Sequence, residues 1–262
     1  MFGSKLNYES QFFVSGQEMS GIESIDIRYN NSANITRPLG YSQGVTTVAG
    51  PTEQSVSLSR YLIYVDPILN YTGDINMSGS IHYDGASYGF ESGYLNSYSV
   101  NCAVGSIPRV NADFVVYDEM RSGYNASGSV SPPAIRIPTQ GSIAVTADNV
   151  TNNRVLGFDY SVSCKRKPYY TIGSETIADI KLLSPLEYTA AVQLDVDNAF
   201  MESGFAFLGT GKGTKTVSVD IDDNDGNDVA SFTIPNACLI SEQLNASADG
   251  TLKLTLNYRG HS

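Results

Sequence analysis

Apolar and polar residues alternate with a period of two through most of this chain, and that pattern limits what it can fold into. Ile25, Ile27 and Tyr29 alternate with Ser24, Asp26 and Arg28; Tyr160, Val162 and Cys164 alternate with Ser161 and Ser163. Val217, Val219 and Ile221 do the same with Ser218 and Asp220, as do Leu252, Leu254, Leu256 and Tyr258 near the end. Successive side chains of a strand point to opposite faces, so these runs read as strands with one face buried and one wet. Helical spacing never persists beyond about two turns. Two short stretches, "DPILNY" (66–71) and "DNAFMESGF" (197–205), open on an aspartate that can cap a first helical turn. The 17 Tyr, 24 Gly and 10 Pro, with only 16% charged residues, agree with an all-β chain carrying short helices at most.

The pattern repeats. "GYLNSYSVNCAVGSIPRVNADFVVY" (93–117) and "NACLISEQLNASADGTLKLTLNY" (236–258) are both strand, polar turn, strand, ending on an aromatic residue. Pro51 and Pro185 are 134 apart, Ile27 and Val162 135 apart, and Leu95 and Leu239 144 apart, an offset that drifts as small loop insertions would make it drift. "SGYNASGSVSPP" (122–133) reads as a linker. The expectation is a first domain over 1–121, a linker over 122–138 and a second domain over 139–262. Charge divides evenly: 6 basic and 12 acidic residues up to residue 122, 10 and 15 after it.

Several function classes lose ground. No stretch approaches the roughly 20 apolar residues that span a bilayer, and no basic segment followed by an apolar core marks a secretory signal. Cys102, Cys164 and Cys238 are odd in number and far apart, which suits buried thiols in a reducing compartment better than a disulfide framework. A net charge of −11 argues against a nucleic-acid binder, though not against a surface along which nucleic acid slides without sticking.

The chemical motifs are weak. "GASYG" (85–89) fits a nucleophile elbow around Ser87, but strand flanks both sides and only His82 and His261 exist as bases. "DIDDNDGND" (220–228) puts its glycine one place late for an EF-hand and has Ser231 where the last ligand should be; Asn224, Asp225 and Gly226 suit a hairpin turn. "GTGKGTKT" (209–216) lacks the ending of a phosphate loop and runs into a strand. Seven N-x-S/T sequons follow from an Asn-, Ser- and Thr-rich composition and carry little weight without a secretory signal. No catalytic set, cofactor or metal is expected.

The order of these segments is informative. The run "GIESIDIRYN…PLGY…VAGPTEQSVSLSR…DPILNYTGD…MSGSIHYDG…YGFESGYLNSYSVNCAVGSIPRVNADFVVYDE" resembles the tail tube proteins of tailed bacteriophages over most of residues 12–120, and the likeness returns more faintly over 142–258. The resemblance implies two tandem β-sandwich or half-barrel domains, each with one short flanking helix, whose hairpins join those of neighbours into a continuous inner barrel. It implies a virion protein, assembled in the host cytoplasm, that stacks in rings as a conduit for DNA. With two such domains per chain, a trimer would replace the usual hexamer, as a homo-oligomer contacting other tail proteins. Three chains of −11 give −33 per ring, a sign that repels DNA phosphates. Candidate lumen or inter-ring acids are Asp220, Asp222, Asp223, Asp225, Asp228, Asp113 and Glu91. Lys165, Arg166 and Lys167 are candidates for contacts with acidic residues of a neighbouring subunit, and loops 41–50 and 174–184 for ring stacking. The alternatives are a tail-tip or connector ring, which would not polymerise, and a surface β-sandwich binding module.

Overall fold

The computed structural model describes residues 10–36, 46–83, 85–117, 119–130, 134–147, 154–172, 177–197, 215–246 and 251–262. The chain is all-β. Its described strands in the first half are β1 (Gln11–Val14), β2 (Gly16–Met19), β3 (Ile22–Thr36), β4 (Thr46–Tyr61), β5 (Met77–Tyr83), β6 (Ala86–Ala103), β7 (Arg109–Val116), β8 (Arg121–Ser122) and β9 (Ser127–Val130). The second half has β10 (Pro138–Thr146), β11 (Val155–Ser163), β12 (Arg166–Tyr170), β13 (Ile177–Leu182), β14 (Glu187–Val196), β15 (Lys215–Asp223), β16 (Asp228–Asn245) and β17 (Leu252–His261). All but the separate β12–β13 hairpin belong to one hydrogen-bonded network.

Two runs within that network have one connectivity. The first is β3-β4-β7-β6-β5-β1 and the second β11-β14-β17-β16-β15-β10, every neighbouring pair antiparallel. Their irregularities coincide. The pairing of β3 with β4 slips between Ile22 and Ser24, and that of β11 with β14 between Val155 and Gly157. The pairing of β6 with β7 slips between Leu95 and Ser97, and that of β16 with β17 between Leu239 and Ser241. A bulge inserts one unpaired residue and re-aims the strand, so coincident bulges fix how the runs superpose. Tyr98 then matches Glu242, Leu58 matches Val192, and Ile27 matches Tyr160. The sequence offset that set Ile27 against Val162 is two residues too long.

Alternation explains the core. β7 and β17 bury every second residue: Val110, Ala112, Phe114 and Val116 in one, Leu254, Leu256 and Tyr258 in the other. These side chains join Val56, Leu58, Tyr98, Val100, Val162, Val192, Leu194 and Phe232 in one apolar cluster that spans both halves. Burying a side chain of this size is worth about 1.5–3 kcal/mol. The Phe232 ring lies 4.8 Å from Tyr160 and 6.3 Å from Tyr98, packing second-half aromatics onto the first half.

β6 and β16 are each 18 residues long because each serves two sheets. β6 pairs with β5 up to Gly93 and with β7 from Gly93 onward; β16 pairs with β15 up to Ala237 and with β17 from Cys238 onward. The corner needs space. A Cβ on Gly93 would come within 2.5 Å of the Phe90 ring, and one on Gly260 within 2.2 Å of the Pro235 carbonyl oxygen. Asn236, at the second corner, takes a left-handed φ of 49°.

The predicted first helix is a five-residue 3-10 turn, Pro67–Tyr71, whose Ile68 N–H donates to Asp66 Oδ1 at 3.0 Å. The second candidate lies almost wholly outside the described residues. The expected linker is partly sheet: β9 pairs parallel to β2, and the Ala126 N–H donates to Ser80 Oγ at 2.9 Å. Its small residues permit that approach, since Gly16 and Gly128 pack backbone to backbone.

Asp66 does more than cap. Its Oδ2 lies 2.7 Å from Arg60 Nη2, both side chains fully buried, and accepts the Tyr98 hydroxyl at 2.9 Å. Arg60 also stacks over the Tyr64 ring at 4.5 Å. Asp66→Ala leaves a buried guanidinium without its counter-charge and is expected to cost about 3–5 kcal/mol. Gly260→Ala is expected to cost about 1–3 kcal/mol, because the obstructing atom is backbone. Urea denaturation of both variants checks these values.

Candidate assembly surfaces

Eight strands in the order β3-β4-β7-β6-β11-β14-β17-β16 form a continuous antiparallel sheet. The two halves meet within it at β6 and β11, with Tyr98 opposite Val162, Val100 opposite Tyr160 and Asn101 opposite Asp159. One face of this sheet is the core. The other is polar, rich in Ser, Thr and Asn: Ser57, Ser97, Ser99, Asn101, Asn111, Ser161, Thr189, Thr255 and Asn257 share it.

Charges on the polar face nearly balance. By register it carries Asp26, Glu53, Asp113, Asp159, Glu187 and Asp195 against Arg28, Arg109, Lys253 and Arg259. Arg28 pairs with Asp26 at 2.7 Å and Arg259 with Glu187 at 2.7 Å; Arg109 reaches Glu23 at 2.6 Å. Asp113 accepts the hydroxyls of Ser57 and Ser97, each at 2.7 Å. Partial burial pushes the Asp159 carboxyl above the usual carboxylate range.

The seven candidate acids do not come together. Asp113 alone lies on the polar face. Glu91 lies near the start of β6, 3.4 Å from Arg121. Asp220, Asp222, Asp223, Asp225 and Asp228 surround the turn between β15 and β16, away from the part of β16 that pairs with β17 in the eight-strand sheet. Asp220 accepts the Ser231 hydroxyl at 2.6 Å. Asp223 is buried beneath its own turn, where the Asn227 side chain and the backbone N–H groups of Asn227 and Asp225 hold its pKa below the usual range. Gly226, with φ of 78°, completes this hairpin turn.

Arg166 corrects the expectation of an intersubunit basic cluster. Its side chain is fully buried, 2.6 Å from Asp74 Oδ1 and stacked 4.6 Å over the Tyr94 ring, so it ties the second half to the first within one chain. Lys165 and Lys167 remain exposed, Lys167 over the Tyr169 ring at 5.5 Å. The signal was present in the sequence: Tyr160, Val162, Cys164 and Arg166 share one parity, and Arg166 continues the inward side. Cys164 is buried, its thiol pushed up to about 11, while Cys102 and Cys238 are half-buried. Ser87 stands opposite His82 across the β5–β6 hairpin, but His82 Nε2 is bonded to Ser80 Oγ at 2.6 Å.

The sheet ends on two open edges. Among the described residues β3 pairs with β4 alone, and β16 from Cys238 to Asn245 pairs with β17 alone. Apolar side chains stand exposed along both edges: Tyr29 at 64% on β3, Ile240 at 60% and Leu244 at 47% on β16. Unpaired edges of this length are ordinarily masked by charge, proline or a covering loop. Each half also carries a hairpin arm between its first two sheet strands. In the first half the arm is the extension of β3 and β4, whose tip at 37–45 lies outside the described residues; in the second it is β12–β13, with Ile172 and Leu183 exposed. Of the proposed stacking loops, 46–50 belongs to β4 and 177–182 is β13.

No metal-holding group of three or more His, Cys, Asp or Glu occurs among the described residues, and no helix there is long and apolar enough to cross a membrane. No family model matches this chain, and no curated protein matches it in sequence.

Asp159→Asn is expected to raise stability at pH 7. A carboxyl whose folded pKa lies above its unfolded value carries a cost that is complete above the folded pKa and vanishes below the unfolded one. The gain should therefore disappear below about pH 4, as urea midpoints measured at both pH values would reveal.

Proposed function

We propose that this chain is a structural subunit of a bacteriophage tail tube, forming trimeric rings with pseudo-sixfold symmetry that stack into a conduit for DNA. The observation that carries this reading is the repeated strand order with coincident bulges, ending in two unpaired edges. A duplicated domain that already pairs with its own twin through β6 and β11 can continue the pairing from copy to copy. The run of eight strands then closes on itself, which removes the open edges.

The dimensions suit the role. Three copies of an eight-strand run make 24 strands. At about 4.8 Å spacing and about 40° tilt, such a barrel has a backbone diameter of about 48 Å, wide enough for a DNA duplex to pass. The polar face would line it. That surface of hydroxyls, amides and paired charges offers phosphates little to hold, with a slight excess of carboxylates, and so favours sliding over binding. Most of the net negative charge lies elsewhere, including the β15–β16 hairpin, which would face outward or toward the next ring. The hairpin arms are the stacking elements in this reading, and the role is structural, not catalytic. The protein would assemble in the host cytoplasm and end in the virion tail.

Light scattering with negative-stain electron microscopy tests the proposal. The expected species is a ring of three times 28.2 kDa with sixfold appearance, and tubes at higher concentration. A compact monomer at every concentration would overturn the ring. Single rings that never stack would reassign the chain to a tail tip or connector. Replacing residues 170–178 of the β12–β13 arm by a short Gly-Ser turn is expected to leave ring mass and melting temperature unchanged while abolishing tubes, as seen by microscopy.

A further inference from the structure

The ring reading leaves open how one copy meets the next, and the junction inside the chain supplies the answer. Superposing the two runs by their shared bulges places Ser241 on Ser97, Glu242 on Tyr98, Gln243 on Ser99, Leu244 on Val100 and Asn245 on Asn101. The same superposition places Asp26 on Asp159, Ile27 on Tyr160 and Tyr29 on Val162. β6 and β11 are hydrogen-bonded to each other; their equivalents β16 and β3 are, among the described residues, the two open edges of the eight-strand sheet.

Resting on the ring reading, we infer that β16 of one copy pairs antiparallel with β3 of a second copy of this chain in the register of β6 with β11. Asn245 then stands opposite Asp26, Leu244 opposite Ile27, and Glu242 opposite Tyr29.

The side chains fit this register in kind as well as position. Asn101 faces Asp159 on the polar side of the internal junction, and Asn245 with Asp26 repeats that pair. Val100 and Tyr160, 1% and 6% exposed, face each other on its core side. Leu244 and Ile27 repeat an apolar pair, yet Leu244 is 47% exposed in the single chain and Ile27 only half-buried. Tyr29, 64% exposed, occupies the position of Val162, which is 1% exposed. The apolar positions that are covered at the internal junction are thus the ones left open at the edges, and pairing there covers them. Glu242 differs from Tyr98, and its carboxylate oxygen Oε2 has no hydrogen-bond partner among the described residues. The register brings the phenol-bearing Tyr29 of the second copy against it. A slip of one residue would turn every apolar side chain on one strand to the polar face.

Cysteine cross-linking reads the register directly. The test chain carries Ile27→Cys and Leu244→Cys in a background of Cys102→Ser and Cys238→Ser, keeping buried Cys164. Mild oxidation is expected to give covalent multimers on a non-reducing gel, ending at a closed trimer. A control pair, Tyr29→Cys with Leu244→Cys, lies on the same face but two residues out of register and is expected to give at least about tenfold less, since its Cα atoms stand too far apart. Oligomers by light scattering with no 27–244 cross-link, or stronger linkage by the control pair, would overturn this register and leave the ring standing. A monomer at all concentrations for the unsubstituted chain would overturn the ring itself. Leu244→Asp is a second measurement: it adds a charge to an apolar pair, and the concentration for half-association should rise at least about tenfold while the far-ultraviolet spectrum stays unchanged. An unchanged association concentration would overturn the seam.

Discussion

Pairing of β6 with β11 is the interaction on which the rest of the structure depends. Without it each half would end on an open strand, and the apolar face built from Tyr98, Val100, Phe158, Tyr160 and Val162 would be split in two. The junction turns two four-strand sheets into one of eight. It also places Phe232 of the second half against Tyr98 of the first, so that one core serves both halves. Arg166 reaches back to Asp74 and Tyr94 as a second tie outside the sheet. Only its guanidinium is buried, the Asp74 carboxylate being solvent-exposed, so the pair satisfies a buried charge and fixes the arrangement more than it strengthens it.

The corner strands explain how a single polypeptide makes both a sheet that continues sideways and a sandwich that closes over it. β6 and β16 leave one sheet and enter the next at equivalent places, Gly93 and Ala237, with a bulge just beyond each. Such bends are how strands switch sheets in orthogonal packings. The first half reinforces its corner with the buried Arg60, Asp66 and Tyr98 cluster. In the second half the matching positions of Arg60 and Tyr98 are Leu194 and Glu242, so the halves share a backbone plan while differing in how they stabilise it. That divergence is what the proposed ring would call for, with one junction internal and its counterpart between copies.

Much of this was legible in the sequence, and the failures have physical reasons. Leu252, Leu254, Leu256 and Tyr258 announced a half-buried strand, as did Val217, Val219 and Ile221. Pro51 with Pro185 and Leu95 with Leu239 gave offsets that the strand registers reproduce. Ile27 was set against Val162 when its match is Tyr160, because a period-two pattern looks the same after a shift of two. Only the bulge between Val155 and Gly157 removes that ambiguity. Lys165, Arg166 and Lys167 read as one basic cluster although strand parity sends Arg166 inward. The acids of 220–228 read as a lumen or inter-ring group because they are adjacent in sequence; the surface they share depends on which strands pair, and they lie at the β15–β16 turn.

Strand content, the facing of each strand and the repetition of the pattern were set by the sequence alone, since they depend on alternation between neighbours a few residues apart. Which strands become edges was decided only by tertiary structure. Edge status is a property of the pairing order: β3 and β11 carry equivalent patterns, yet one is paired on both sides and the other on one. The polar face, its balance of charge and the open edges all follow from that order, because hydrogen bonding between strands distant in the chain decides which side chains share a surface.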